Sequence, residues 1–161
     1  MNAIVSVTRD WGIGNGGRLL VHNPVDMRYF REKTMGGTVL CGRTTFESFP
    51  GGALKGRRNV VLSGDRGYVA KGAEVVHSIE EARATIAGDE PDSVWLIGGE
   101  RVYAQLLSWC DRAYVTANDV IVPADAYFPN LEVAPEWVLE SSEHGGDGFT
   151  FDVWRNTRVR Q

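Results

Sequence analysis

The chain is short of several things, and each shortage closes off a class of protein. Its two cysteines, Cys41 and Cys110, match no Cys-x-x-Cys or zinc pattern and cannot build a disulfide framework, so both are read as reduced, buried thiols. Its three histidines, His22, His77 and His144, are scattered, and no metal site is expected. Lys and Arg total 17 against 21 Asp and Glu, a formal charge of -4, which leaves no basic footprint for nucleic acid. No apolar run approaches the roughly 20 residues of a membrane-spanning helix, and the first residues lack the charged, apolar and small-residue segments of a signal peptide. The expectation is a cytoplasmic monomer with neither a membrane nor a nucleic-acid partner.

What is present is ordinary globular material. Hydrophobic residues make up 43% of the 161 and charged residues 24%, a composition that argues against disorder. That length suits one domain over residues 1–161, burying roughly 70% of the surface its unfolded form exposes. Short β-branched or apolar runs at residues 2–8, 38–41, 59–63, 94–97 and 112–117 read as strands, with a weaker one at 73–76. Helices are expected at about 24–33, from Gly42 to Phe49, from Ser78 to Ala87 with a Ser78 to Glu81 capping box, and from Gly99 to Leu107. Two late strands, about 136–142 and 149–158, flank the turn Gly145 to Gly148 and leave no room for a crossover helix, so they should be antiparallel. The fold class is therefore α/β, with a mainly parallel sheet, an antiparallel C-terminal edge and helices on both faces.

The helix opening at Asn23-Pro24 carries the residue of greatest chemical interest. Asn23 can cap it and Pro24 fits its first turn, which places Asp26 and Phe30 four residues apart on one face. Asp26 could simply complement the positive end of the helix dipole. It could also be a desolvated carboxylate gripping a cationic or amidine-like heterocycle and promoting its protonation. No nucleophile, histidine or second acid stands near it in sequence, which disfavours acyl transfer and glycoside chemistry.

Four glycine-bearing turns follow strands. Gly12, Gly14 and Gly17 match G-x-G-x-x-G literally, but no helix begins there and Glu32 falls inside a helix, so residues 9–18 read as a long lid loop rather than a dinucleotide turn. The turns at Arg43-Thr44-Thr45, Ser63 to Arg66 and Gly98 to Arg101 are better anion cradles, because each follows a strand and two open a helix. The plainer alternative is that Thr44 caps its helix and Arg43 is solvated. Ligands of such sheets bind beyond the carboxyl ends of the strands, and three cradles on one rim suit an extended polyphosphate.

These residues, in this order, resemble the dihydrofolate reductase family over nearly the whole chain. The resemblance rests on Ile13-Gly14, Pro24-x-Asp26 with Phe30, Gly42-Arg43-x-Thr45-x-Glu47-Ser48, Arg57 with Asn59, Ile97-Gly98-Gly99 with Tyr103, Thr116, and Asp125 with Phe128-Pro129. It implies NADPH-dependent reduction of 7,8-dihydrofolate to tetrahydrofolate, with hydride going to C6 and a proton to N5 of the pterin. It implies catalytic roles for Asp26, Thr116 and Tyr103, with Asp26 holding the pterin 2-amino and N3 groups and Thr116 bracing that carboxylate. Ile4, Val5, Met27, Phe30, Leu54, Arg57 and Ile97 would complete the substrate site. There the carbonyls of Ile4 and Ile97 would face the 4-amino group of antifolates, and Arg57 would face the substrate's α-carboxylate.

On the cofactor side the resemblance implies Ser6, Ile13, Gly14, Leu19, Gly42, Arg43, Thr44, Thr45, Leu62, Ser63, Arg66, Ile97, Gly98, Gly99, Glu100, Arg101, Val102 and Tyr103. Among these, Arg43, Ser63 and Arg66 would favour the 2′-phosphate of NADPH. It also implies a cis peptide between Gly98 and Gly99. The chain departs from the family in having Leu20-Val21 where many members have Pro-Trp, and Gly51-Gly52-Ala53 before Leu54 where bacterial relatives often have arginine and proline. Two rival functions remain: a riboflavin-pathway reductase, for which the Asp26, Phe30 and Arg57 set has no use, and a non-catalytic nucleotide-binding protein.

Overall fold

A computed structural model describes residues 1–161. In chain order its elements are β1 (Asn2–Val7), β2 (Gly12–Asn15), β3 (Arg18–Leu19), α1 (Pro24–Thr34), β4 (Thr38–Gly42), α2 (Arg43–Glu47), β5 (Arg58–Leu62) and β6 (Glu74–Val76). They continue with α3 (Ile79–Ile86), β7 (Val94–Gly98), α4 (Glu100–Leu106), β8 (Arg112–Asn118), β9 (Ala126–Tyr127), β10 (Trp137–Gly146) and β11 (Phe149–Asn156). Eight strands form one sheet in the order β10-β11-β8-β1-β7-β4-β5-β6. From β8 to β6 all neighbours are parallel, whereas β11 runs antiparallel to β8 and β10 antiparallel to β11.

The two-residue period of the strands sorts side chains onto two faces. Ala3, Val5 and Val7 of β1 join the larger core with Ala82 of α3 and with Val102, Tyr103 and Leu106 of α4. Ile4 points the other way and packs with Val39 and Trp95 beneath Tyr29 and Phe30 of α1. Beside it, Phe46 of α2 packs on Cys41 and Val61. Helices thus cover both faces, and both cysteines are buried free thiols, as expected. Because the six strands from β8 to β6 are parallel, β1, β4, β5, β7 and β8 all end on one rim.

Several loop assignments are corrected. The expected lid loop over residues 9–18 contains the hairpin β2-β3, which pairs with β9 in a separate three-stranded sheet. Gly16 and Gly17, with φ of 60° and 77°, make the two-residue hairpin turn that demands positive φ twice. The segment Asp125 to Pro129, expected as loop, supplies β9, and the Asp125 carboxylate accepts from Gly16 N at 2.9 Å. In the C-terminal hairpin Gly145 and Gly146 belong to β10, so the turn shrinks to Asp147-Gly148. Ser78 caps α3 as expected, but Glu81 returns its hydrogen bond to His77 N rather than to Ser78 N. The helix after Gly42 ends at Glu47, and Gly42 stands at its N-cap with no side-chain hydrogen bond, so Thr44 is not a cap.

Candidate active site

Asp26 owes its position to the start of α1. The Asn23 side chain accepts from Val25 N at 3.0 Å and from Asp26 N at 3.3 Å, and Pro24 takes the first helical position. Asp26 is therefore the third residue of the helix, on the side facing the sheet. There the Thr116 hydroxyl donates to its Oδ1 at 2.5 Å. Burial raises the Asp26 pKa, and hydrogen bonds from the Thr116 and Ser6 hydroxyls only partly oppose the rise. Dipole complementarity remains available to Asp26, but a buried partner on β8 is more than a surface capping acid needs. Ser6 pairs in register with Thr116. Asn118 fixes that row, donating from Nδ2 to Ser6 Oγ and to Val7 O, each at 2.9 Å.

An apolar wall rises beside the carboxylate. Phe30, Leu54 and Ile97 are half-buried and pack on the Ile4, Val39 and Trp95 cluster. Tyr29 stacks on Phe151 with ring centres 4.1 Å apart. Val5 gives this face only backbone, since its side chain belongs to the opposite core, and Met27 is 58% exposed. Leu54 is held by Asn59, which accepts from Leu54 N and donates to Leu54 O, both at 2.9 Å.

Arg57 closes the far end of this wall. Its Nε donates to Lys55 O at 2.9 Å and its Nη1 to Thr34 Oγ1 at 3.2 Å, and no carboxylate pairs with it. Burial, then the nearby charge of Arg31, lowers its pKa. A half-buried guanidinium with neutral partners and spare N–H groups is poised for an anion from outside.

The three cradles are neighbours, because β7, β4 and β5 are adjacent in the sheet. They touch: a Cβ on Gly98 or Gly99 would come within 3.1 or 3.0 Å of Thr45 Oγ1, and one on Gly42 within 3.1 Å of Val102 Cγ2. The Gly98–Gly99 peptide is cis. Leu62 ends β5 half-buried, and Ser63 Oγ accepts from Asp65 N at 3.2 Å. Arg66 and Arg101 are exposed, and Thr44 projects outward. Arg43 is not free: its Nε donates to Glu47 at 2.7 Å and its Nη1 to Asp65 at 3.3 Å. Glu100 is also engaged, accepting from Tyr127 N.

Tyr103 lies one layer behind the site. It is 2% exposed, and its hydroxyl donates to Ile4 O at 2.7 Å, which places it as a positioning residue for the Ile4 carbonyl. Ile13, Gly14 and exposed Leu19 sit on the β2-β3 hairpin, whose base is covered by Leu20, one of the two departures noted above: a Cβ on Gly12 would lie 3.1 Å from Leu20 Cδ1. Three contributors escaped the sequence reading. Asn118 anchors the Ser6 and Thr116 row, and a polar residue closing an apolar strand was its only signal. Trp11 takes φ 65°, unusual for a bulky residue, and stacks on Phe128 with ring centres 6.1 Å apart. Asp65 contacts Arg43 from a different strand end, which spacing could not reveal.

Known proteins are similar to this chain. The family model described as dihydrofolate reductase matches residues 1–155. The dihydrofolate reductase of Mycobacterium tuberculosis is 45% identical over 148 residues, covering 91% of this chain and 83% of the relative. That of Neisseria gonorrhoeae is 39% identical over 120 residues, covering 74% and 73%. A solved structure of the Enterococcus faecalis dihydrofolate reductase, complexed with NADP(H) and RAB-propyl, superposes with a TM-score of 0.85 at 29% identity, covering 96% of this chain and 95% of that one. With a family match over nearly its whole length, a relative 45% identical and a solved relative of the same fold, the chain belongs to the dihydrofolate reductase family.

Proposed function

We propose that the carboxylate of Asp26 and the rim beyond β4, β5 and β7 carry out NADPH-dependent reduction of 7,8-dihydrofolate to 5,6,7,8-tetrahydrofolate. The observation that carries the assignment of Asp26 is its short bond from Thr116 within a half-buried, apolar-walled site. NADPH, when bound, supplies the hydride for C6 of the pterin. The residues present fit that cofactor, since glycines at 42, 98 and 99 leave room where side chains would press on Val102 and Thr45.

Asp26 accepts hydrogen bonds from the pterin 2-amino and N3 groups, and its burial, which raises its pKa, makes it a better proton acceptor toward a ring that is more electrophilic when protonated at N5. Thr116 orients the carboxylate. Phe30, Leu54 and Ile97 exclude water from the ring, and Arg57 takes the substrate's α-carboxylate through its unused N–H groups. Antifolates are the other small-molecule partners, with the carbonyls of Ile4 and Ile97 facing their amino groups. Ile4 O keeps a lone pair for that purpose beside the one engaged by Tyr103. The same reading takes the chain as a monomer, and the buried free thiols suit the cytoplasm.

The test is spectrophotometric. Purified, folded protein should oxidise NADPH only when dihydrofolate is added, and Asp26→Asn should bind NADPH yet lose turnover. A folded wild-type protein with no dihydrofolate-dependent oxidation overturns the reading.

A further inference from the structure

Arg43 stands at the start of α2, where the resemblance places the cation for the 2′-phosphate, yet it is already surrounded. Its Nε donates to Glu47 at 2.7 Å, its Nη1 to Asp65 at 3.3 Å, and its plane lies over Tyr68 with the guanidinium carbon 4.1 Å from the ring centre. Glu47 sits one turn along the same helix. Asp65 comes from the turn after β5, and that turn fixes it. Its Oδ1 accepts from Gly67 N at 2.9 Å and its own N donates to Ser63 Oγ at 3.2 Å, which leaves Oδ2 for Arg43. Two cations, Arg43 and Arg66, thus share this end of the rim with two acids, Glu47 and Asp65, and the local charge cancels.

Dinucleotide sites separate the two nicotinamide cofactors by simple chemistry. A carboxylate accepts the ribose 2′-hydroxyl of NADH, and an arginine accommodates the 2′-phosphate of NADPH. Here both groups are present and in contact. A 2′-phosphate either displaces Asp65 from Arg43 or takes the Nη2 that the two acids leave free, and in both cases it bears the repulsion of a carboxylate beside it, whereas a 2′-hydroxyl can donate to Asp65 and leave the ion pair intact. Exposed ion pairs of this kind add little to folding. The carboxylate therefore acts mainly on the incoming anion.

We infer that Asp65 is a specificity-determining residue that holds down the preference for NADPH and gives NADH a usable affinity at the same site. This rests on the cofactor reading above and adds the discrimination between the two cofactors. The experiment measures dissociation constants of NADPH, NADH, adenosine 2′,5′-bisphosphate and adenosine 5′-monophosphate by quenching of protein fluorescence, for the wild-type chain and for Asp65→Asn. Asparagine keeps the oxygen that accepts from Gly67 N and removes only the charge. NADPH and the bisphosphate should bind about three- to tenfold more tightly to the variant, NADH and the monophosphate no more tightly, and the gain should shrink as salt is raised. Asp65→Ser, neutral and still able to accept from Gly67 N, should move the ratio the same way.

An unchanged NADPH to NADH ratio in both variants, or an equal shift for both cofactors, overturns the inference while leaving the cofactor reading standing. A folded wild-type protein that binds neither dinucleotide overturns both.

Discussion

The Thr116 hydroxyl and the Asp26 carboxylate stand 90 residues apart in sequence and meet at 2.5 Å. Neither could be placed by its own element alone. α1 brings Asp26 to the face of the sheet, β8 brings Thr116 to the same face, and Asn118 steadies Ser6 beside them. The result is a carboxyl group whose pKa burial raises and whose hydroxyl donors oppose only part of that rise. A group so balanced serves protonation chemistry better than folding.

Asp26→Asn should separate those two demands. Turnover near neutral pH should fall by about 100-fold or more, with NADPH affinity retained, because asparagine cannot take part in the proton balance. Stability should move the other way. The folded-state pKa of Asp26 is raised, so its favourable contribution is complete at acid pH and is lost as pH rises through that value. The asparagine variant escapes the loss and should melt higher at neutral pH, with the advantage vanishing in acid. Melting curves at several pH values check this, and equal differences at all pH values would contradict it.

Thr116→Val removes the donor and keeps the shape. The charged carboxylate loses a hydrogen bond, so the Asp26 pKa should climb further and the pH at which activity declines should move up. The specificity constant for dihydrofolate near neutral pH should fall about tenfold. Thr116→Ser should restore both the rate and the pH profile. A rate loss with no movement of the profile would mean that Thr116 only fills space.

The parts of this site that were legible in the sequence are those coded locally. Asn23-Pro24 announces α1, and the apolar runs announce β1, β4, β5, β7 and β8, because a strand covered on both faces has to be apolar throughout. The rim follows from those strands being parallel. What was not legible depends on partners distant in sequence. The β2-β3 hairpin reads as loop because the third strand of its sheet is β9, more than a hundred residues later, and glycines that set a hairpin turn are hard to tell from glycines that give freedom. The resemblance implies a catalytic role for Tyr103, but nothing in its own helix shows that its hydroxyl ends on Ile4 O.

Tyr103→Phe isolates that contact. The ring should stay in place, since it packs edge-on against Phe128 with centres 4.8 Å apart. Only the bond to Ile4 O is lost, and the carbonyl is left with no donor from behind. Denaturant unfolding should show about 1–2 kcal/mol of lost stability. If Tyr103 acts through Ile4, the affinity for an amino-bearing antifolate should change more than that for NADPH. Unchanged stability would mean that water or a neighbour replaces the hydroxyl.

Arg57→Ala tests the cation that has no acid. Because Arg57 pairs only with Lys55 O and Thr34 Oγ1 and is disfavoured by burial and by Arg31, its removal should alter stability by less than about 0.5 kcal/mol. Its removal should, however, deprive a carboxylate ligand of a charge-assisted, two-pronged partner. The Michaelis constant for dihydrofolate should rise roughly 10- to 100-fold, with that for NADPH nearly unchanged. Arg57→Lys should recover only part of the loss, since a single ammonium cannot match the fork of a guanidinium. A substrate lacking the glutamate tail should be indifferent to all three side chains. Equal rises for both substrates, or a marked loss of stability, would make Arg57 a structural residue and leave the α-carboxylate without its assigned partner.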